Sequence, residues 1–469
     1  MQKAFSARNL WERSPRIVRR VAGGALGIVP LSVLLGAAFR RHRRWVRESE
    51  RWTVDQVRDY QLDAVRRVLR LAYENTAYYR RTFDAAGFHP GWLHRLDDLQ
   101  KLPTTDKGTL RGHLREMCTR PATGADVDCV TTGGTGGEPL GFYIGRDRSA
   151  IEYAHLVTAW ERAGYRLGMP MAVFRGRVVE PDAAGLRHEY DPLLRHHYYS
   201  NFHMTDENMH RYIEHVSTIG PCVLHVYPSS IAALTRFLMR TGRPAPANAR
   251  AIIAESEIVY PEQRRLAEDV FGCRFFSGYG HTEKVVASAE CEQSTDQHVF
   301  PTYGYFELLD PEGRPIATPG RMGEIAGTGF INTVVPFIRY RTGDYATYVS
   351  DRCGACGRAH VCVRDIAGHR TQEVLVAADG ARISWTALNM HDNTFDRVRQ
   401  VQFFQDTPGR AVLRVVAAEG FSEADRRRIQ EGLGRKFDNR LAFAVELVDA
   451  IPLTGRGKAI YVDQRLPVE

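Results

Sequence analysis

The sequence predicts an α/β protein: a large domain with mainly parallel sheets, preceded by a helical leader and followed by a small α+β domain. Three observations lead there. Short apolar runs alternate with helical patterns through the middle of the chain, as strand–helix–strand units require. After about residue 365 the pattern changes to closely spaced strands around one helix. The 469 residues, 43% apolar and 25% charged, suffice for two or three domains of ordinary globular composition, which excludes a disordered chain and a multi-span membrane protein. The expected boundaries are a basic helical leader over 1–100, a large domain over 101–365 and a small domain over 366–469.

The leader holds the chain's positive charge. The net charge is +8, yet residues 1–70 carry 16 Lys+Arg against 6 Asp+Glu, so the remainder is slightly acidic and nucleic acid is not expected as a partner. Between Arg19-Arg20 and Arg40-Arg41 runs an uncharged stretch of 19 residues, 21–39, at the lower end of a bilayer span. Gly23, Gly24, Gly27 and Pro30 weaken it as a free helix. The long basic region before it and the arginines after it do not fit a signal peptide. It reads as a helix docked on the body, as an interfacial segment giving peripheral membrane contact through residues 19–51, or as a span, with docking favoured. Eight cysteines are too few for a disulfide-stapled secreted scaffold, and the location expected is cytoplasmic, with or without membrane association through this arm.

Downstream, Val54, Val57, Leu62, Val65, Val68, Leu69 and Ala72 recur at three- and four-residue steps and predict helix from Trp52 to Phe83. Pro103 and the Asp106 cap signal lead into a short helix within KLPTTDKGTLRGHL (101–114). Helices are expected over 150–163 and 205–219, the latter with Asp206 and Glu207 in its first turn. Strands are expected at 172–174, 223–227, 251–256 and 273–280. The small domain shows strand patterns at 398–404, 410–418 and 442–450 and a helix at 422–438.

Four motifs carry chemistry. TTGGTGGEP (131–139) interleaves glycines with Thr131, Thr132 and Thr135, so backbone N–H groups and hydroxyls can converge on phosphate oxygens; alone it is equally a flexible hairpin. YGHTE (279–283) ends a strand with Thr282 beside Glu283, a natural Mg²⁺ ligand next to phosphates or an exposed loop end. RYRTGD (339–344) sets Asp344 in a tight turn, able to accept two ribose hydroxyls or to cap its own backbone. IPLTGRGKAIY (451–461) presents Lys458 between glycines, suited to stabilising a reacting phosphate or simply solvated. CGAC (353–356), with Cys291 and His298 upstream, offers a four-ligand set for one structural Zn²⁺: Cys291, His298, Cys353 and Cys356. Unmetallated thiols and a disulfide are the alternatives, and Cys362 is a substitute ligand.

Together and in this order, the first four motifs resemble the adenylate-forming superfamily of acyl-CoA ligases, luciferases and adenylation domains. The resemblance covers most of 100–469 and is greatest to the phenylacetate–CoA ligase family, in its capsular-polysaccharide-biosynthesis branch. The branch features are the helical leader, LPTTDK (102–107), HVYPSSIAAL (225–234), AESEIVYPEQRR (254–265) and CGACGR (353–358). It implies a large adenylate-forming domain over 101–365 that binds nucleotide and acid, with a mobile small domain carrying the catalytic lysine. Thr132, Gly134, Thr135 and Gly137 would form the phosphate loop. Tyr279 and Gly280 would flank the adenine, and Thr282 and Glu283 would hold the α-phosphate and Mg²⁺. Asp344 would bind the ribose, and Lys458 would stabilise the pentavalent phosphorus. In GHRTQE (368–373), Arg370 would reach the nucleotide, and Arg370 and Glu373 would form the hinge of a domain rotation. Tyr227, Pro228, Phe276, Ser277 and Gly278 would line the acid pocket. The chain departs from the family pattern at Gly133, Gly136 and Glu138, and at Tyr461, where relatives carry an arginine. The implied reaction uses ATP and Mg²⁺ to activate a small aryl or hydrophobic carboxylic acid as acyl-AMP. Transfer to CoA follows or, alternatively, to an amine, a carrier-protein thiol, or a sugar or lipid intermediate.

Overall fold

The computed structural model describes residues 29–466 apart from 125, 132–139, 258, 368–373, 385–387, 389–392, 396, 419, 438–439 and 452–461. Helix α1 (Gly36–Ser49) docks on the body; it takes in only the end of the 21–39 stretch, of which residues 21–28 lie outside the described residues. Phe39 and Val46 are buried against Ala154, Val157 and Trp160. Arg43 pairs with Glu161, and Glu50 bridges Arg162 and Arg358. Among the described residues no helix is long and apolar enough to cross a membrane. The single helix expected over 52–83 is two: α2 (Val54–Asn75), begun by a capping box at Thr53 and Gln56, and α3 (Ala77–Ala85). The break falls at Thr76, whose extended backbone ends α2 and whose hydroxyl accepts from Tyr79 N to start α3. Asp106 caps α4 (Lys107–His113) as predicted.

Strands β1 (Val127–Thr131) and β2 (Gly141–Gly145) form an antiparallel hairpin joined by the glycine-rich loop, which lies outside the described residues. Helix α5 (Arg148–Arg162) leads into the main sheet. Next come β3 (Met171–Phe174), β4 (His188–Asp191), β5 (His196–Tyr199), α6 (Asp206–Thr218), β6 (Cys222–Val226), α7 (Pro228–Thr241), β7 (Ala249–Glu255), α8 (Pro261–Phe271) and β8 (Phe275–Gly280). Both α7 and α8 begin with proline at the first turn, where no N–H is needed, and end at a left-handed glycine, Gly242 and Gly272. Strands β5, β3, β6, β7 and β8 are parallel neighbours, the α/β unit the alternating pattern predicts. The same sheet continues antiparallel through β9 (Ala287–Ala289), β10 (Gln297–Val299), β11 (Gly304–Leu309), β12 (Met322–Gly329), β13 (Tyr340–Ser350) and β14 (Cys362–Ala367). Its twelve strands run β11-β12-β13-β14-β10-β9-β8-β7-β6-β3-β5-β4. Leader residues Val65, Leu69, Tyr79 and Phe83 share one core with Ile325, Val334 and Phe337 of this antiparallel half.

The C-terminal part opens with the hairpin β15 (Val374–Val376) and β16 (Arg382–Ser384). Strands β17 (Val398–Thr407) and β18 (Arg410–Ala417), helix α9 (Glu423–Lys436), β19 (Ala442–Leu447) and β20 (Val462–Gln464) follow. The sheet order is β19-β18-β17-β20, and Ile429, Leu433 and Phe437 cover Phe403, Leu413 and Phe443. Lys458 falls in the β19–β20 connection, outside the described residues.

One buried ion pair joins the LPTTDK segment to the antiparallel half. Arg339, in left-handed backbone at φ 45°, donates to Glu307 at 3.0 Å and to the Leu102 carbonyl at 2.7 Å. Burial pushes the Glu307 carboxyl up, and the Arg339 charge opposes that. Arg339→Met is expected to lower unfolding free energy by about 3–5 kcal/mol, because Glu307 is left buried and unpaired. Adding Glu307→Leu should restore most of the loss, read from urea midpoints.

Candidate active site

A cleft of about 1250 Å³ opens at the carboxyl ends of β3, β6, β7 and β8, where open α/β sheets bind ligands. One wall is set by the loop after β8. Residues 281–286 lie directly on the β11–β12 backbone, with Lys284 in left-handed conformation at φ 59°. A Cβ at Gly304 would sit 2.1 Å from the Val285 carbonyl oxygen, and one at Gly327 would sit 2.9 Å from the Tyr305 carbonyl oxygen and from Val285 Cγ1. The approach therefore requires glycine at both positions.

This packing delivers Glu283, only 5% exposed, to the cleft. Oε1 accepts from the Tyr340 hydroxyl at 3.0 Å, and Oε2 lies 3.1 Å from His281 Nδ1. Burial alone would raise its pKa. The His281 hydrogen bond and charge, with the charge of Lys107, outweigh that and bring it to about 2. The carboxylate is thus held ionised, its single charge shared over both oxygens. Thr282 lines the same wall.

Tyr279 closes the gap between two of the predicted motifs. Its hydroxyl donates to Asp344 Oδ2 at 2.8 Å, and burial, followed by the Asp344 charge, raises the phenol well above its ordinary value. The backbone N–H of Asp344 donates to Thr342 Oγ1 at 3.0 Å, which fixes the turn that carries this carboxylate. Gly280 lines the cleft beside them.

At the other end Tyr227, Ser277 and Gly278, three of the five residues expected at the acid pocket, line the cleft. Pro228 and Phe276 do not. Pro228 is the buried first residue of α7, and Phe276 packs in the core beneath α5 with the Arg274 guanidinium 4.4 Å from its ring centre. Sequence reasoning missed the polar end wall. Arg175 donates to Glu255 Oε2 at 2.7 Å, and Trp160 Nε1 donates to Glu255 Oε1 at 3.1 Å. Arg175 also contacts His225. Burial lowers the His225 pKa, with the Arg175 charge adding to it. Burial opposes ionisation of Glu255, but the Arg175 charge outweighs it and holds the acid well below its usual range. Only HVYPSS and AESEIV marked this wall in the sequence; Arg175 and Trp160 belong to no motif. Lys107, the last residue of LPTTDK, also reaches the cleft.

Behind the cleft Cys291, His298, Cys353 and Cys356 place one ligand atom each within 4.8 Å of the others. His298 Nδ1 lies 2.9 Å from the Asp296 carbonyl, which leaves Nε2 facing Cys356 Sγ at 3.4 Å. Backbone N–H groups of Gln293 and Ser294 donate to Cys291 Sγ, and that of Cys356 to Cys353 Sγ. Cys362 packs beside the group without joining it. The donor set, its closeness and the committed second nitrogen fit a tetrahedral Zn²⁺. The expected phosphate-loop residues Thr132, Gly134, Thr135 and Gly137, the hinge residues Arg370 and Glu373, and Lys458 lie outside the described residues.

Comparison with known proteins agrees with the motifs. The CapK C-terminal domain model matches residues 375–465. Phenylacetate-coenzyme A ligase of Pseudomonas putida is 27% identical over 298 residues, covering 62% of this chain and 66% of that protein. Protein CapK of Staphylococcus aureus is 22% identical, covering 77% of this chain and 79% of that one. A solved 2-hydroxyisobutyryl-CoA ligase, in complex with 2-HIB-AMP and CoA in the thioesterification state, superposes with TM-score 0.57. It is 19% identical and covers 89% of this chain and 92% of that chain, a likeness of fold.

Because Glu283 is held ionised at about 2 against an ordinary 4.5, its stabilising contribution is complete above pH ~4.5 and lost as pH falls toward 2. Urea midpoints at pH 7 and pH 3 should therefore separate further in the wild type than in Glu283→Gln, by about 1–3 kcal/mol. An equal separation would show that this carboxylate is not held ionised.

Proposed function

We propose that this chain, a relative of phenylacetate–coenzyme A ligases and of CapK, is an AMP-forming ligase that activates a carboxylic acid with ATP and transfers it to CoA. The observation that carries the reading is the meeting of Tyr279, Thr282, Glu283 and Asp344 in one cleft, in the roles the motif resemblance assigns. The carboxylate attacks the α-phosphorus, a C–O–P bond forms and pyrophosphate leaves. A carboxylate is a poor electrophile, and adenylation gives it a good leaving group; the protein positions the reactants and neutralises charge. Asp344 and Tyr279 hold the ribose and adenine end. Glu283 would hold Mg²⁺, which neutralises phosphate charge when bound, and Thr282 binds the α-phosphate. Thr132, Gly134, Thr135 and Gly137 cradle the phosphates, and Lys458 stabilises the pentavalent phosphorus. The small domain then rotates about Arg370–Glu373, withdrawing Lys458 and admitting the CoA thiol, which displaces AMP.

The aromatic rings of Trp160, Tyr198 and Tyr227 beside the Arg175–Glu255 pair favour an aryl acid that carries a hydrogen-bonding substituent. A second reading replaces CoA with an amine, a carrier thiol, or a sugar or lipid intermediate. It is favoured by the outward face of α1, where Arg40, Arg41, Arg44 and Arg47 are exposed and suit an anionic or membrane-bound acceptor. The Cys291, His298, Cys353 and Cys356 group would hold Zn²⁺ as a structural clasp between the β8–β10 region and the segment before β14.

The tests are direct. ATP–pyrophosphate exchange across a panel of carboxylic acids should reveal at least one substrate, and no exchange with any acid would overturn the ligase reading. Hydroxamate trapping should collapse when CoA is added, whereas acyl-AMP that persists with CoA favours the second reading. Lys458→Ala should depress adenylation by two or more orders of magnitude while sparing thioester formation from supplied acyl-AMP. Metal analysis should find the wild type holding about one zinc equivalent per chain more than Cys353→Ser.

A further inference from the structure

The second group of metal-capable side chains lies on the opposite side of the sheet edge from the cleft. Strands β4 and β5 pair antiparallel with His188 opposite Tyr199 and Tyr190 opposite His197. Directly opposed residues share a face, and alternation sends their neighbours to the other. His196 and Tyr198 line the cleft. His188, Tyr190, His197 and Tyr199 therefore face away from it, toward α6, which presents His215.

On that face three imidazoles converge. His188, His197 and His215 place one ring nitrogen each within 4.8 Å of the others. His188 Nε2 lies 3.0 Å from His197 Nδ1, and the His188 and His215 ring centres are 4.2 Å apart. His215 Nδ1 lies 2.7 Å from the hydroxyl of fully buried Tyr199. In the tautomer where Nδ1 donates to that oxygen, the His215 ring is fixed and Nε2 carries a free lone pair, the outer-shell arrangement metal-ligating histidines use. Asp182 supplies a nearby negative charge felt by both His188 and His215. All three rings are only half-buried, so water and ions reach them.

We propose that His188, His197 and His215 form a three-histidine site for a borderline-soft divalent transition metal, Zn²⁺ in the test below, that pins the β4–β5 edge to α6. Three imidazoles at this spacing match three vertices of a tetrahedral site, and the fourth remains for water. The site is separate from the cysteine group and independent of the ligase reading. It braces from behind the strand that carries Tyr198 into the cleft.

The test counts zinc. Full-length protein is equilibrated with Zn²⁺, freed of excess metal by gel filtration and assayed for zinc per chain, with far-UV circular dichroism confirming the fold of each variant. The wild type should hold one equivalent more than His197→Gln and one more than His215→Gln, while Cys353→Ser retains that equivalent. A zinc-dependent rise in Tm should be present in Cys353→Ser and lost in both histidine variants. Equal zinc in the wild type and the folded histidine variants overturns the proposal. So does a Cys353→Ser protein that takes up no zinc, a result that needs no histidine variant. Loss of zinc confined to Cys353→Ser leaves the cysteine site standing and removes this one.

Discussion

The site depends on how closely one loop can lie on a sheet. Residues 281–286 cross β11 and β12 where Gly304 and Gly327 leave no room for a side chain, and Lys284 adopts left-handed backbone to follow the surface. That contact fixes the depth of Glu283, which then meets the Tyr340 hydroxyl and His281. Raised by one methyl group, the loop would carry the carboxylate away from the neighbours that keep it ionised. Lys284 extends the constraint outward by pairing with Glu152 on α5.

A second layer holds the sheet against which the loop is pressed. Arg339 precedes Tyr340, so the ion pair with Glu307 and the bond to the Leu102 carbonyl set the strand that delivers both Tyr340 and Asp344. Thr105 bridges directly to this strand, accepting from Arg341 N at 2.8 Å, and so brings Lys107 to the same wall. The leader contributes at a distance. Glu50 at the end of α1 joins Arg162 of α5 to Arg358, beside the cysteine group. Leader, cysteine group and cleft are thus linked by buried charge rather than by apolar packing alone, which favours one arrangement of the pieces over others of similar burial.

Much of the fold was legible because its signals are local. Hydrophobic period separated helices from strands, Asp106 marked a helix start, and the YGHTE and RYRTGD motifs lie on single segments. The break at Thr76 escaped notice because the apolar spacing continues across it, while the hydroxyl that caps the new helix is one weak signal among many. The polar end wall was hidden for another reason. Arg175, His225, Glu255 and Trp160 come from three strand ends and a helix, and no spacing in the chain relates them.

The sequence by itself determined the α/β class, the change of pattern at the C-terminal part and the residues of each motif, since these follow from composition and short-range periodicity. Only the tertiary structure decided which residues share a surface. It tied Tyr279 to Asp344 across 65 positions, brought His298 to Cys356, turned Phe276 into the core and set His188, His197 and His215 on one face. Strand register and sheet order are properties of pairs distant in the chain, and a strand carries its two faces forward without saying what lies opposite either.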